Sequence, residues 1–114
     1  MNTKRLNEQI KQSINKQLRA SHFACFEETL IDLGVLDEAS LKKWQEGGLP
    51  YLSKFCTTSE KGLAVYLKAF RSLCNQGGLI PLERTTPPFL KHGDDARYQE
   101  AFRDRSYYKK GAKR

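Results

Sequence analysis

The sequence predicts an all-α fold: a small bundle of five to six helices with an extended, proline-containing strap before the last helix. Apolar residues recur at helical spacing along most of residues 3–76, capping residues precede these stretches, and glycines follow them. Over residues 79–93 prolines interrupt the pattern, because proline lacks a backbone donor. A chain of 114 residues with 39% hydrophobic content suits a single domain, 1–114.

The first helix is predicted over residues 3–20, where four apolar residues recur every fourth position. They are Leu6, Ile10, Ile14 and Leu18. This spacing keeps them on one side of a helix. The opposite side carries lysines, arginines and amides, so we expect an amphipathic helix with a basic outer face.

Two further helices are predicted from capping residues. Ser21 is a plausible N-cap for a helix over 21–33, in which Phe23 belongs to the apolar stripe. Asp37 is a plausible N-cap for a third helix, over 37–46. Each predicted helix is followed by a glycine, which favours a helix end.

The central helix has the clearest predicted start. A short helix over 50–56 precedes it, and Thr57 and Glu60 fit a capping box with Thr57 as the N-cap. The apolar stripe then continues to Gln76, where two glycines follow. We expect this helix to lie at the centre of the fold.

The C-terminal part is predicted to form an extended strap, then a helix, then a flexible tail. Residues 79–93 form the extended strap, whose apolar side chains cover part of the core. Asp94 or Asp95 then caps the last helix, which frays near Tyr107. A flexible basic tail is expected at about 107–114.

The net charge of +7 is concentrated at the two ends of the chain. Residues 1–20 carry +4 and residues 97–114 carry +5, whereas residues 21–96 carry −2. Such an asymmetry favours a polyanionic partner, although basic ends also serve solubility alone. The leading functional hypothesis is therefore nucleic-acid binding through the basic terminal segments, with RNA or a nucleoprotein favoured over a specific DNA sequence.

The predicted nucleic-acid-binding residues are cations and two tyrosines near the chain ends. Cations neutralise phosphates, and aromatic rings stack on the bases of single strands. The set is Arg97, Arg103, Arg105, Tyr107, Tyr108, Lys109, Lys110, Lys4, Lys11 and Arg19.

A second candidate surface lies on the central helix. Lys61, Lys68, Arg71 and Asn75 share one side of that helix, next to its apolar face. Cations and an amide on a helix suit docking in a DNA groove. The same pattern is typical of an ordinary solvated flank.

No catalytic, metal or cofactor motif is found in the sequence, so we expect no enzyme, no bound metal and no cofactor. His22, Cys25, Cys56 and Cys74 could in principle hold zinc, but their spacing lacks the paired ligands of structural zinc sites. Isolated thiols of this kind are usually buried hydrophobes. We therefore place all three cysteines inward.

A protein-interaction adaptor or small subunit that recognises an acidic partner surface is the alternative hypothesis. Exposure of Tyr107 and Tyr108 would favour nucleic acid, and an exposed apolar patch on the first helix or the strap would favour a protein partner. No apolar run is long enough to span a membrane, and no signal peptide is evident, so we expect a cytoplasmic protein without membrane contact. The oligomeric state is not predicted.

Overall fold

The computed structural model describes residues 3–48, 51–82 and 107–111. Within them, helices and strands are joined by short connections. In chain order they are α1 (Thr3–Ser21), β1 (Phe23–Cys25), α2 (Phe26–Asp32), α3 (Glu38–Gln45), a 3-10 helix (Leu52–Phe55), α4 (Glu60–Gln76), β2 (Ile80–Pro81) and β3 (Tyr107–Lys109).

A three-stranded antiparallel sheet shows that the all-α prediction is wrong. The described residues form four α-helices and one 3-10 helix together with a sheet of strand order β1-β3-β2. Phe23 and Ile80 both pair with Lys109, from opposite sides of β3. The central strand therefore comes from the segment predicted as a flexible tail. It holds together two strands that each have only two or three residues.

The second predicted helix begins later than the sequence suggests. Helix α1 continues through Ser21, whose hydroxyl donates to the Gln17 carbonyl oxygen instead of capping a new helix. His22 then has a φ of 68°, a left-handed conformation that ends α1. Strand β1 follows, and α2 starts only at Phe26.

The predicted N-cap is confirmed for α3, whereas the N-cap of α4 is a different residue from the predicted one. The Asp37 carboxylate accepts from the Ser40 backbone N–H at 2.6 Å, and this hydrogen bond lowers the pKa of Asp37. At α4 the N-cap is Ser59, which accepts from the Gly62 N–H at 3.1 Å. Thr57 is therefore not the N-cap, and the predicted capping box is wrong. The helix ends at Gln76, as predicted.

The core lies between α1, α4 and one face of the sheet, with α2 and α3 closing its side. It includes Leu6, Ile10 and Ile14 of α1 and Leu63, Leu67, Phe70 and Cys74 of α4. The largest fully buried side chains are Trp44, Tyr108, Phe26 and Phe70. The apolar stripes predicted for α1 and α4 thus account for much of the core.

The first residues of the predicted strap form β2, and residues 83–93 of the strap lie outside the described residues. Leu79 is buried, as predicted, whereas Ile80 is 42% exposed. The Leu82 N–H donates to the Tyr107 carbonyl oxygen at 2.8 Å, so residue 81 faces the outer edge of β2. That residue is a proline without an N–H, which weakens this edge for pairing with another chain. The predicted last helix lies outside the described residues.

Candidate nucleic-acid interface

The three-stranded sheet has one buried face and one open face. Ala24 and Tyr108 are directly opposite each other in the register, and both are buried on the inner face. The neighbouring row contains Phe23, Lys109 and Ile80, and its side chains point to the other side because they alternate along each strand. We call this row the outer row. It places one lysine between two partly exposed apolar side chains.

The two adjacent tyrosines of β3 have opposite environments. Tyr108 is 1% exposed, and its ring meets Phe70 edge-on at a centroid distance of 5.7 Å. Tyr107 is half-buried on the outer face, where it stacks on Phe23 with centroids 5.4 Å apart and ring planes 7° from parallel. Of the two tyrosines predicted to stack on bases, only Tyr107 is on an accessible face.

Backbone contacts bring Lys109 and Lys110 to the C-terminal end of α1. The Lys110 N–H donates to the His22 carbonyl oxygen at 3.0 Å. His22 is three residues after Arg19, which lies near the end of α1. Gly111 lies so close to Gly78 that a Cβ at position 111 would be 2.8 Å from the Gly78 carbonyl oxygen. Lys109 and Lys110 therefore lie beside the C-terminal ends of α1 and α4. The partial negative charge at the C-terminal end of a helix stabilises cations placed there.

Among the described residues, acidic side chains are concentrated in some segments and absent from others. Residues 9–26, 61–82 and 107–111 contain eight lysines and arginines and no aspartate or glutamate. These segments supply most of α1, nearly all of α4 and the whole sheet, which pack together. Residues 27–60, which include α2 and α3, contain seven acidic residues and three lysines. We call the first set of described segments the basic part and the second set the acidic part; the two meet where Lys16 binds Asp32.

A groove of about 400 Å³ lies beside strand β1, and we call it the β1 groove. It is bounded by the C-terminal half of α1, the outer face of the sheet and the start of α2. Residues in its wall include Lys16, Gln17, Phe23, Cys25, Glu28 and Tyr107. The stacked Phe23–Tyr107 pair therefore borders a cavity large enough for a small planar ligand.

A buried polar network fixes α1 against β1 and α2 at the base of this groove. The Gln17 side chain accepts from the Cys25 N–H at 2.8 Å and donates to the Thr29 hydroxyl at 3.0 Å. The Ser13 hydroxyl donates to Asp32 at 2.6 Å. Lys16 binds the other oxygen of Asp32, also at 2.6 Å, and this bond raises the pKa of Lys16. The network satisfies buried polar groups that would otherwise destabilise the fold.

A second, smaller groove of about 290 Å³ separates the C-terminal ends of α1 and α4. Polar residues of its wall include Lys11, Asn15 and Gln76, and its base is apolar, with Leu18 and Leu79. This groove places Lys11, one of the predicted binding residues, beside the end of α4.

The predicted binding residues fall into three groups. Lys4, Lys11 and Arg19 are exposed on α1, and Lys109 and Lys110 are exposed at the end of β3. Tyr107 is half-buried and Tyr108 is buried. Arg97, Arg103 and Arg105 lie outside the described residues.

On the second candidate surface, three of the four residues are exposed. They are Lys61, Lys68 and Asn75, whereas Arg71 is half-buried. This surface belongs to the basic part of the molecule, but α4 offers no aromatic ring beside it except half-buried Tyr66.

Sequence reasoning missed Phe23, Ile80 and Lys16 as site residues. Phe23 was predicted to be a core residue of a helix, and Ile80 was predicted to cover the core. The alternation of Phe23, Ala24 and Cys25 is compatible with a strand, but three residues are too few to distinguish a strand from one helical turn.

His22 and the three cysteines, whose spacing argued against a zinc site, lie in different environments. Cys74 is buried and Cys56 half-buried, and burial raises the pKa of these thiols to about 12 and about 11 respectively. Cys25 is half-buried on the outer face of the sheet, and His22 is exposed. Among the residues that the structure describes, no three His, Cys, Asp or Glu side chains lie together as metal ligands would.

No helix in the described part of the chain is long and apolar enough to cross a membrane. Comparisons with known proteins give no relationship: no family model, curated protein or solved structure matches this chain.

Proposed function

We propose that this protein binds nucleic acid, with RNA favoured, through the outer face of the sheet and the cations around it. The observation that supports the proposal is the position of Lys109 and Lys110 at the C-terminal end of the basic helix α1, where the Lys110 N–H donates to the His22 carbonyl oxygen. A surface of this kind attracts a polyanion and releases its counterions on binding. The proposal is for binding alone, with no catalytic residue.

Aromatic rings beside these cations favour nucleic acid over a simple anionic surface. The Phe23–Tyr107 pair and Lys109 lie on one sheet face, so stacking and phosphate neutralisation can occur side by side. Rings on a sheet flanked by cations are a general way to hold unpaired bases.

A specific observation also favours the second candidate, an adaptor for an acidic protein surface. Phe23 and Ile80 are 37% and 42% exposed in the same row, and Ile80 belongs to the strap. With Lys109 between them, they form a small apolar patch with a cationic centre. Such a patch suits a partner with apolar and acidic side chains.

A salt titration with matched double variants tests the nucleic-acid proposal. Affinity for a fluorescein-labelled RNA and for duplex DNA is measured by fluorescence anisotropy from low to high salt. Lys109→Ala/Lys110→Ala removes two exposed cations from the basic part, and Lys42→Ala/Lys43→Ala removes two exposed cations from α3 in the acidic part. Both variants have the same net charge.

We expect the first variant to weaken RNA binding and to reduce the logarithmic salt slope by roughly two, since each phosphate contact contributes about one. The α3 variant should bind like the wild type. A substitution of Lys61 and Lys68 should have less effect than that of Lys109 and Lys110. If the wild type binds neither nucleic acid at low salt, the proposal is wrong and the adaptor hypothesis replaces it.

A cytoplasmic location is proposed with this function. It is supported by three cysteines that form no disulfide, because reducing compartments keep thiols free.

A further inference from the structure

We propose that the β1 groove holds one unpaired base of a single-stranded nucleic acid, stacked on the Phe23–Tyr107 pair. The inference rests on the proposed function and names the part of the ligand that the groove recognises. It assigns stacking to Phe23, which the sequence placed in the core.

The geometry of the ring pair suits the addition of a third ring. Phe23 and Tyr107 are parallel within 7° and offset, with centroids 5.4 Å apart, as in aromatic stacks. Phe23 is 37% exposed, an unusual position for a phenylalanine, and both rings border the groove. A base in the groove would bury this exposed ring surface.

The charges in the groove wall favour a neutral heterocycle over a phosphate. Among the residues that the structure describes, the charged ones in this wall are Lys16 and Glu28, which have opposite signs. The Lys16 ammonium is already held by Asp32 at 2.6 Å. A phosphate would be repelled by Glu28, whereas the edge of a base offers donors and acceptors that match Glu28 and Lys16.

The phosphates of the same strand have a separate place to bind. Lys109 is directly opposite Phe23 in the sheet register, and Lys110 follows it. Directly opposite side chains on one sheet face lie about 5 Å apart at Cβ, which is within the span of one nucleotide. A base on Phe23 therefore brings its own phosphate to Lys109.

The platform is held rigidly before any ligand binds. The outer edge of β1 is bound to α1 through the Cys25 N–H and the Gln17 side chain, at 2.8 Å. Gln17 in turn is fixed by Thr29 and by the Ser13 hydroxyl at 3.2 Å. A preorganised site loses less entropy on binding than a mobile one.

The test compares two strands with equal numbers of phosphates. One is a fluorescein-labelled single strand of ten thymidine nucleotides, and the other has the same length with abasic sites at its central positions. For the wild type at low salt, we expect the base-bearing strand to bind about 5- to 150-fold more tightly, the effect of stacking one base.

Three substitutions of Phe23, with one control elsewhere, identify the stacking ring. Phe23→Ala should abolish the preference for the base-bearing strand without changing affinity for the abasic strand, and Phe23→Trp should retain the preference. Val65→Ala is the matched control, because Val65 is an exposed apolar side chain on α4, 57% exposed. Phe23→Leu keeps an apolar side chain without an aromatic face, and it should also lose the preference.

The possible failures are distinguishable. Equal binding of the two strands by the wild type would overturn base recognition but leave the proposed function standing. An unchanged preference in Phe23→Ala or Phe23→Leu would also overturn it, because another ring would then hold the base. Binding of neither strand would overturn both the inference and the proposed function.

Discussion

The two faces of the sheet are formed by alternate residues of the same short strands, yet their environments differ. The inner face, with Ala24 and Tyr108, is buried against the core, where Tyr108 meets Phe70. The outer face carries Phe23, Lys109 and Ile80, all partly or largely exposed. The difference teaches that position in a strand, more than residue type or neighbourhood in sequence, decides whether an aromatic residue is buried in the core or lies on an accessible face.

The largest effect we expect is on the inner face. Tyr108→Ala should lower the free energy of unfolding by about 3–5 kcal/mol, because it removes a fully buried ring from the core. Tyr107→Ala should cost only about 1 kcal/mol, since it loses one stacked pair. Urea denaturation of the two variants measures both values. Equal losses would contradict the division of the sheet into two faces.

The reaction rates of the cysteines with a thiol reagent compare the outer face of the sheet with the core, without a substitution of any aromatic residue. Cys25 lines the β1 groove, whereas Cys74 is fully buried and has a thiol pKa raised to about 12. Since the thiolate is the reactive form, Cys25 should react first with a thiol reagent at pH 8, and Cys74 should stay slow even at pH 9.5. Cys56, with a pKa raised to about 11, should also be slow.

A Cys25→Ser variant is the control for this order. It should lose the fast reaction and keep the slow ones, as read from mass spectra of the labelled protein. A fast reaction that persists in Cys25→Ser would mean that a core thiol is accessible, and the burial of the inner side would be wrong.

The smallest effect is expected at the edge of the outer face. Ile80→Thr keeps a β-branched side chain in β2 and removes only exposed apolar surface. The free energy of unfolding should change by less than about 0.5 kcal/mol. A loss of several kcal/mol in thermal or urea denaturation would show that Ile80 belongs to the core, as the sequence predicted.

The elements predictable from the sequence are those whose signals are local. The Asp37 cap, the end of α4 at Gln76 and the apolar stripe of α1 each depend on residues within a few positions of one another. The cap of α4 shows the limit of this precision: Thr57 and Ser59 are both good capping residues, and only the backbone geometry selects Ser59.

The sheet could not be predicted in the same way. Strand β1 has three residues and pairs with β3 near the opposite end of the chain, so no local pattern identifies it. Phe23 and Phe26, three residues apart, match a helical stripe, but the backbone is extended over Phe23–Cys25, and α2 starts only at Phe26. The cations Lys11, Arg19, Lys109 and Lys110 could be identified from composition, but the position of Lys109 and Lys110 beside the end of α1 depends on the strand pairing.

The most direct test of the account is a map of where nucleic acid contacts the protein. Amide chemical shifts of the nitrogen-15-labelled protein are followed as a ten-nucleotide single-stranded RNA is added at low salt. We predict that the shifting amides cluster in residues 19–25, 80–82 and 107–111, while residues 38–48 of the acidic part stay unchanged. Shifts concentrated in α2 and α3, or no shifts at all, would contradict the claim that the outer face of the sheet binds nucleic acid.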